Sequence, residues 1–226
     1  MHPLRRITSR LARPLVLKYL RKERKYSFEG ITLNILPGVF HPGIFFSTKI
    51  LLRYLENFDL KNKSLLEPGA GSGLISFAAE KRGARVTAVD LSEAAISGLE
   101  WNRRNLQSDI KIIRSDLFNE LTAEPFDFIV INPPYFNREA VEEWQLAWYC
   151  GSDFGYFVKL FSQLVKFTRQ NSKVMMVLSE DCDIFTIRKI ANQYGWNLDE
   201  KKRVRLWWET NFIFECNIDH AIIPSQ

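Results

Sequence analysis

Asn132, Pro133, Pro134 and Tyr135 stand in a row directly behind the run Asp127-Phe128-Ile129-Val130-Ile131. An asparagine side-chain oxygen and the next residue's carbonyl are two neighbouring acceptors, on a backbone that two proline rings hold stiff. Such a pair can hold a planar NH2 group by both of its hydrogens, and the Tyr135 ring can stack on the face of that group. The chemistry served is attack by a nitrogen whose lone pair is delocalised, where preorganised acceptors match the positive charge that develops. A Pro-Pro pair alone is a rigid turn that ends a strand, so the reading depends on what else the chain brings to the same place.

A second group supplies it. Leu65-Leu66-Glu67-Pro68-Gly69-Ala70-Gly71-Ser72-Gly73 puts an acid near a strand end and glycines at alternate positions before a helical pattern. Glycines let the chain turn sharply and let a ligand approach the backbone. The dinucleotide fingerprint requires a glycine three positions after Gly71, where Leu74 stands, so a nicotinamide cofactor is disfavoured. A cofactor with no phosphate, such as S-adenosylmethionine, would leave that place to its amino-acid end and is compatible with the loop. Asp90, after Val86-Thr87-Ala88-Val89, is expected to accept from the ribose hydroxyls, and Asp116 from the adenine amino group. The expected cofactor contacts also take in Ala70, Leu91, Leu117 and Asn132. A lone Asp after a strand is an ordinary cap or turn residue; three acids in order around a glycine loop are a candidate site.

These residues need a scaffold. From Ser64 the pattern alternates between strand and helix, which predicts an α/β fold with a Rossmann-like, mostly parallel sheet and helices on both faces. Strands are predicted at 64–67, 84–89, 110–114, 127–131 and 173–179, with helices near 73–82, 92–105, 153–169 and 182–194. Residues 197–206 and 211–218 read as two strands joined around Trp207 to Thr210, with no helix between them, and so antiparallel. Before the sheet, Ile7, Leu11, Leu15 and Tyr19 recur at helical spacing over residues 3–24, interrupted near Pro14. KYSF and ITLNIL around Glu29-Gly30 predict a β-hairpin over 25–36, and Ser47 is the expected N-cap of the next helix. The predicted organisation is an extension at 1–46 and a catalytic domain at 47–226.

The net charge is +5 over 226 residues, and its distribution is uneven. Residues 1–25 hold nine Lys or Arg against Glu23 alone, which leaves 22 basic and 25 acidic residues in the remainder. Such a segment suits a phosphate-rich partner such as RNA, or is a solvated helix face. Cys150, Cys182 and Cys216 are read as free thiols, and His2, His41 and His220 are too scattered for a metal cluster; no metal is expected. No apolar run reaches membrane-spanning length and no leader pattern is seen, so a cytoplasmic protein is expected. Trp207 and Trp208 are given no role, and nothing bears on oligomeric state.

Together the loop Asn132-Pro133-Pro134-Tyr135, the E-x-G-x-G-x-G run at Glu67, Gly69, Gly71 and Gly73, and Asp90 resemble the amino-methyltransferases with an N-P-P-Y loop, over roughly residues 38–218. That group includes HemK-type release-factor glutamine methyltransferases and the adenine-N6 and guanine-N2 methyltransferases. The resemblance implies a class I S-adenosylmethionine-dependent methyltransferase in which those residues and Asp116 bind the cofactor and Thr48 lies near its methionine end. Gly38-Val39-Phe40 before Thr48, and Ala147-Trp148-Tyr149-Cys150-Gly151 before Gly155, are similar to HemK relatives that lack a large N-terminal domain. The chain departs from the group at Phe45-Phe46-Ser47, where an acid or glycine precedes the threonine, and in its single Gly151. The reading implied is methylation of a planar amide or amino nitrogen, with a protein glutamine from the translation machinery as acceptor. The alternatives are an RNA (ribosomal) or DNA base approached through residues 1–25, and a non-catalytic cofactor-binding module.

Overall fold

The computed structural model describes residues 19–206 and 209–218. The predicted basic helix, apart from its last residues, and the Trp207-Trp208 junction lie outside the described residues, as do His2 and His220. A hairpin of β1 (Arg24–Phe28) and β2 (Ile31–Ile35) comes first, followed by helix α1 (Ser47–Leu55). Glu29 and Gly30 both take positive φ, the conformation that two-residue hairpin turns require.

The sheet then forms from β3 (Ser64–Pro68), β4 (Arg85–Asp90), β5 (Lys111–Arg114), β6 (Phe128–Ile131), β7 (Lys173–Ser179), β8 (Trp196–Leu206) and β9 (Glu209–Ile218). Between them lie α2 (Leu74–Lys81), α3 (Glu93–Leu106), α4 (Gly155–Leu164) and α5 (Ile184–Gln193). The strand order is β5-β4-β3-β6-β7-β9-β8. Strands β3 to β7 pair in parallel, whereas β9 runs antiparallel to both β7 and β8. The order reverses between β3 and β6, and ligands in open α/β sheets bind at that switch, beyond the carboxyl ends of the strands.

Alternation along each strand divides the core into two layers. Leu65, Phe128, Val130, Met175, Val177 and Ile213 face one apolar cluster, and Leu66, Ile129, Ile131, Val174, Met176 and Phe214 face the other. The first cluster takes in the hairpin through Ile31, Leu33 and Ile35. Asn102 of α3 fixes the hairpin further: its side-chain oxygen accepts from Asn34 N–H at 2.7 Å and its amide donates to Asn34 C=O at 3.0 Å. A side chain thereby satisfies a strand edge that would otherwise be buried without partners.

Three elements differ from the sequence reading. Ser47 is the first helical residue, and Phe46 holds the cap position without a side-chain hydrogen bond. The helix predicted at 153–169 is α4 followed by a separate 3-10 turn at Val165–Phe167. Glu209 and Thr210, expected in the C-terminal junction, pair with Leu206 and Arg205 and so belong to β9.

Candidate active site

The glycine loop leaves β3 and enters α2 with Gly69, Gly71 and Gly73 all at positive φ. At Gly73, where φ is +78°, a Cβ would lie 2.4 Å from Leu99 Cδ2 and 2.8 Å from Phe77 Cε2, so only a hydrogen fits between α2 and α3. Gly69 N–H and Ala70 N–H both donate to Val89 C=O, at 2.8 and 2.9 Å, which ties the loop to the end of β4.

Asp90 is the second tie. Its Oδ2 accepts from Gly71 N–H at 2.8 Å and its Oδ1 from Ser92 N–H at 2.9 Å. Burial raises its pKa, opposed by those amides. Glu67 is also buried, and its Oε2 accepts from Ser76 N–H at 2.9 Å and from Ser76 Oγ at 2.5 Å. Burial pushes the Glu67 carboxyl up to about 8; the Ser76 hydrogen bonds oppose this and the nearby Asp90 charge adds to it.

Asn132 stands beyond the end of β6 between two partners. Its Nδ2 donates to Thr48 Oγ1 at 3.1 Å, and its Oδ1 accepts from the Tyr135 hydroxyl at 2.8 Å. Tyr135 is buried in the second apolar cluster, and burial holds its phenol well above the ordinary range. The two partners fix the Asn132 amide plane, and one lone pair of Oδ1 is left for a further donor.

A cavity of about 460 Å³ joins these parts. Of the residues singled out in the sequence, Thr48, Glu67, Gly69, Ala70, Gly71, Asp90, Leu91, Asp116, Leu117, Asn132, Pro133 and Pro134 line it. Gly73 and Tyr135 do not. Gly73 shapes the turn from below, and Tyr135 turns its ring into the core behind Asn132, where the sequence had suggested a face open for stacking.

The cavity also has walls that the sequence reading did not select. Phe40 lines it and packs with Phe45 and Trp148 at ring separations of 4.4 to 5.0 Å, joining the loop before α1 to the segment after Tyr135. Glu143 reaches across to accept from Glu93 N–H at the start of α3, at 2.6 Å. Tyr149, Tyr156 and Lys159 complete that side, and Lys159 pairs with Asp116 at 2.5 Å. The Gly38-Val39-Phe40 and Ala147-Trp148 pieces hinted at these walls, but their meeting is set by tertiary packing. Lys159 gives no signal, being one polar position of an amphipathic helix.

Charge defines what the cavity can hold. Among the described residues, Glu67, Asp90, Asp116, Glu139, Glu143 and Asp153 line it against Lys159 as the sole lysine or arginine, which Asp116 already takes. A dinucleotide's pyrophosphate finds no counter-charge there, whereas a cationic ligand with hydroxyls to donate does. Among the described residues no cluster of His, Cys, Asp and Glu could hold a metal ion, and no helix is long and apolar enough to cross a membrane.

A seven-stranded sheet in this order, with a reversed penultimate strand in space and a glycine loop at its switch point, defines the class I methyltransferase fold. The sequence model of the methyltransferase small domain family matches residues 30–148, and the chain belongs to that family. It is 28% identical over 181 residues to ribosomal protein L11 methyltransferase of Thermotoga maritima, covering 79% of this chain and 61% of that protein. It is 34% identical over 158 residues to a human release factor glutamine methyltransferase, covering 62% of this chain and 46% of the relative. The chain thus spans less than two thirds of these relatives. Two of the solved structures that share the fold illustrate it. One is the 16S rRNA N2 G1207 methyltransferase of T. thermophilus in complex with AdoMet and guanosine (TM-score 0.63, 20% identity, 86% of this chain and 50% of that one). The other is the ribosomal protein L11 methylase of Lactobacillus delbrueckii (TM-score 0.61, 19% identity, 82% and 84%).

Proposed function

We propose that this chain is an S-adenosylmethionine-dependent N-methyltransferase whose acceptor is a protein side-chain amide, glutamine in particular. The observation that carries the reading is Asn132, held by Thr48 and Tyr135 with its amide plane fixed at the mouth of an acid-lined cavity. The two sequence relatives named above are named as protein methyltransferases, which supports a protein acceptor, although one of the structures that share the fold is an rRNA methyltransferase. The cavity residues fit the cofactor: the buried Glu67 suits its ammonium group, Asp90 its ribose hydroxyls and Leu91 and Leu117 its adenine faces. When bound, the cofactor would supply a methyl group on a sulfonium: the S–CH3 bond would break to leave a neutral thioether as the N–C bond forms, and the acceptor nitrogen's proton would pass to solvent.

The chain's own residues prepare that nitrogen. Asn132 Oδ1 and the Pro133 carbonyl would accept hydrogen bonds from its two N–H groups, raising the electron density on the nitrogen and favouring its pyramidalisation, so that the lone pair otherwise delocalised into the carbonyl points at the methyl. Tyr135, donating to the same Oδ1, holds the acceptor in place; Thr48, accepting from Nδ2, prevents the amide from flipping. Phe40, Phe45 and Trp148 close the side of the cavity and exclude water. Residues 1–46 are read as an extension of the domain at 47–226, with the hairpin docked on α3.

Tritiated methyl transfer into cell lysate, compared between wild type and Asn132→Ala, tests this. Asn132-dependent label sensitive to protease is the expected result. Label sensitive to ribonuclease would transfer the reading to a base methyltransferase that engages RNA through residues 1–25.

A further inference from the structure

Two successive amides at the start of α3 are each taken by a carboxylate: Ser92 N–H donates to Asp90 Oδ1 at 2.9 Å, and Glu93 N–H to Glu143 Oε1 at 2.6 Å. The two acids come from different parts of the chain. Asp90 ends β4 and is also held by Gly71 N–H, whereas Glu143 arrives on the loop that follows Tyr135. That loop leaves and returns at one point, where Phe136 and Tyr149 form a bridge and Cys150 N–H donates to Phe136 C=O at 2.9 Å. Halfway round, a 3-10 turn over Glu143–Ala147 is capped by Glu142 and Gln145 reciprocally. Trp144 of this turn lies against Gly38, where φ is +83° and a Cβ would come within 3.1 Å of Trp144 Cβ. The turn thus brings Glu143 into the wall of the cofactor cavity beside Asp90, Leu91 and Ser92.

Carboxylates on neighbouring amides repel each other. Burial first, and then the charge of Glu143, raise the pKa of Asp90 against its amide hydrogen bonds. The positive end of α3 offsets part of that repulsion, and Arg114 at this corner pairs with Glu93, at 3.7 Å. Each carboxylate can accept more than the hydrogen its amide supplies. A ligand with two adjacent hydroxyls would give one to each acid, and the ribose of an adenosyl cofactor is such a diol. We propose that Glu143 is a cofactor-binding residue that shares the ribose diol with Asp90, each carboxylate accepting one hydroxyl. The inference rests on S-adenosylmethionine as the cofactor. It gives half of ribose recognition to the loop behind Asn132 and Tyr135, so that an occupied cavity holds that loop against α3.

The test is calorimetric titration of the full chain with S-adenosylhomocysteine and with its 2′-deoxy and 3′-deoxy forms. Glu143→Ala should weaken S-adenosylhomocysteine about tenfold, and Glu143→Gln, which keeps one acceptor oxygen, should fall between the variant and the wild type. The deoxy form that lacks the hydroxyl taken by Glu143 should bind wild type and Glu143→Ala within about twofold of each other, while the other deoxy form keeps the full difference. Urea midpoints of the free proteins read the lost helix cap separately. Unchanged S-adenosylhomocysteine affinity in Glu143→Ala would overturn the proposal. So would an equal loss for all three ligands, since Glu143 would then act through the helix and not on the ribose. Failure of the wild type to bind S-adenosylhomocysteine would overturn the cofactor reading and this inference together, whereas binding by the wild type with either of the preceding results overturns this inference alone.

Discussion

The Tyr135 hydroxyl donates to Oδ1 of Asn132 across 2.8 Å, while the tyrosine ring is buried in the core rather than facing the cavity. A residue expected to stack on the acceptor is therefore placed to steady the group that would hold it. Tyr135→Phe keeps the ring and removes that hydrogen bond. Turnover should fall about tenfold, and stability by about 1 kcal/mol, with S-adenosylhomocysteine binding unchanged. Stacking as the sole role would leave turnover unaltered, so single-turnover methyl transfer separates the two.

If Glu67 holds the cofactor's ammonium group as proposed, cofactor binding should be pH-dependent. Its carboxyl is raised to about 8 from an ordinary value of 4.5, so near neutrality it is mostly protonated in the free protein. A bound ammonium favours the carboxylate, so binding should release a proton and affinity should rise with pH until about pH 8. Calorimetry at pH 7 in buffers of different ionisation enthalpy reads the release directly. Glu67→Gln should abolish it.

The same group has the opposite effect on the unliganded fold. The unfolded chain loses this proton near its ordinary value and the native protein only near 8, so stability should decline as pH rises between the two. Urea midpoints of wild type and Glu67→Gln should converge at low pH and separate with increasing pH.

Gly73 and Gly69 both have positive φ but should respond differently to alanine. At Gly69 nothing lies within 4 Å of the new Cβ, so the cost is backbone strain of about 1–2 kcal/mol. At Gly73 the Cβ also meets Leu99 and Phe77, which adds overpacking of roughly 1–3 kcal/mol. Chemical denaturation ranks the pair; equal losses would mean that α2 and α3 can separate freely.

Asn102→Ala removes both side-chain bonds to Asn34 and leaves a buried strand edge unpaired. The expected loss is about 2–4 kcal/mol, from two groups at roughly 1–2 kcal/mol each. Amide exchange should accelerate in residues 31–35 before it does in β6 or β7.

The sheet was legible because its cues are local. Alternating strand and helix patterns placed β3 to β7 within a residue or two, and the absence of a helix between β8 and β9 foretold their reversal. Glu67, the glycines, Asp90 and Asn132 were visible for a related reason, since each sits at a strand end that the sequence itself marks. Tyr135 was misread because its rotamer is decided by packing in the apolar core behind β6, which no local pattern reports. Tyr156, Lys159, Glu143 and the Phe40–Phe45–Trp148 contact depend on loops meeting across the sheet, and their periodicity is that of ordinary packing. The cap expected at Ser47 failed because the chain enters α1 with Phe46 already near helical geometry.

The pairing of Asn34 with Asn102 joins positions 68 residues apart, and this bears on the order in which a growing chain can acquire its structure. The hairpin leaves the ribosome before that helix, and Ile31, Leu33 and Ile35 lack the part of their packing that the helix carrying Asn102 supplies until it has followed. At roughly 5–20 residues per second, several seconds separate the two. During that interval the hairpin is an exposed two-stranded ribbon, marginal by itself in water, and a nascent chain stalled before Asn102 should bind a chaperone that a chain stalled well beyond β6 no longer attracts.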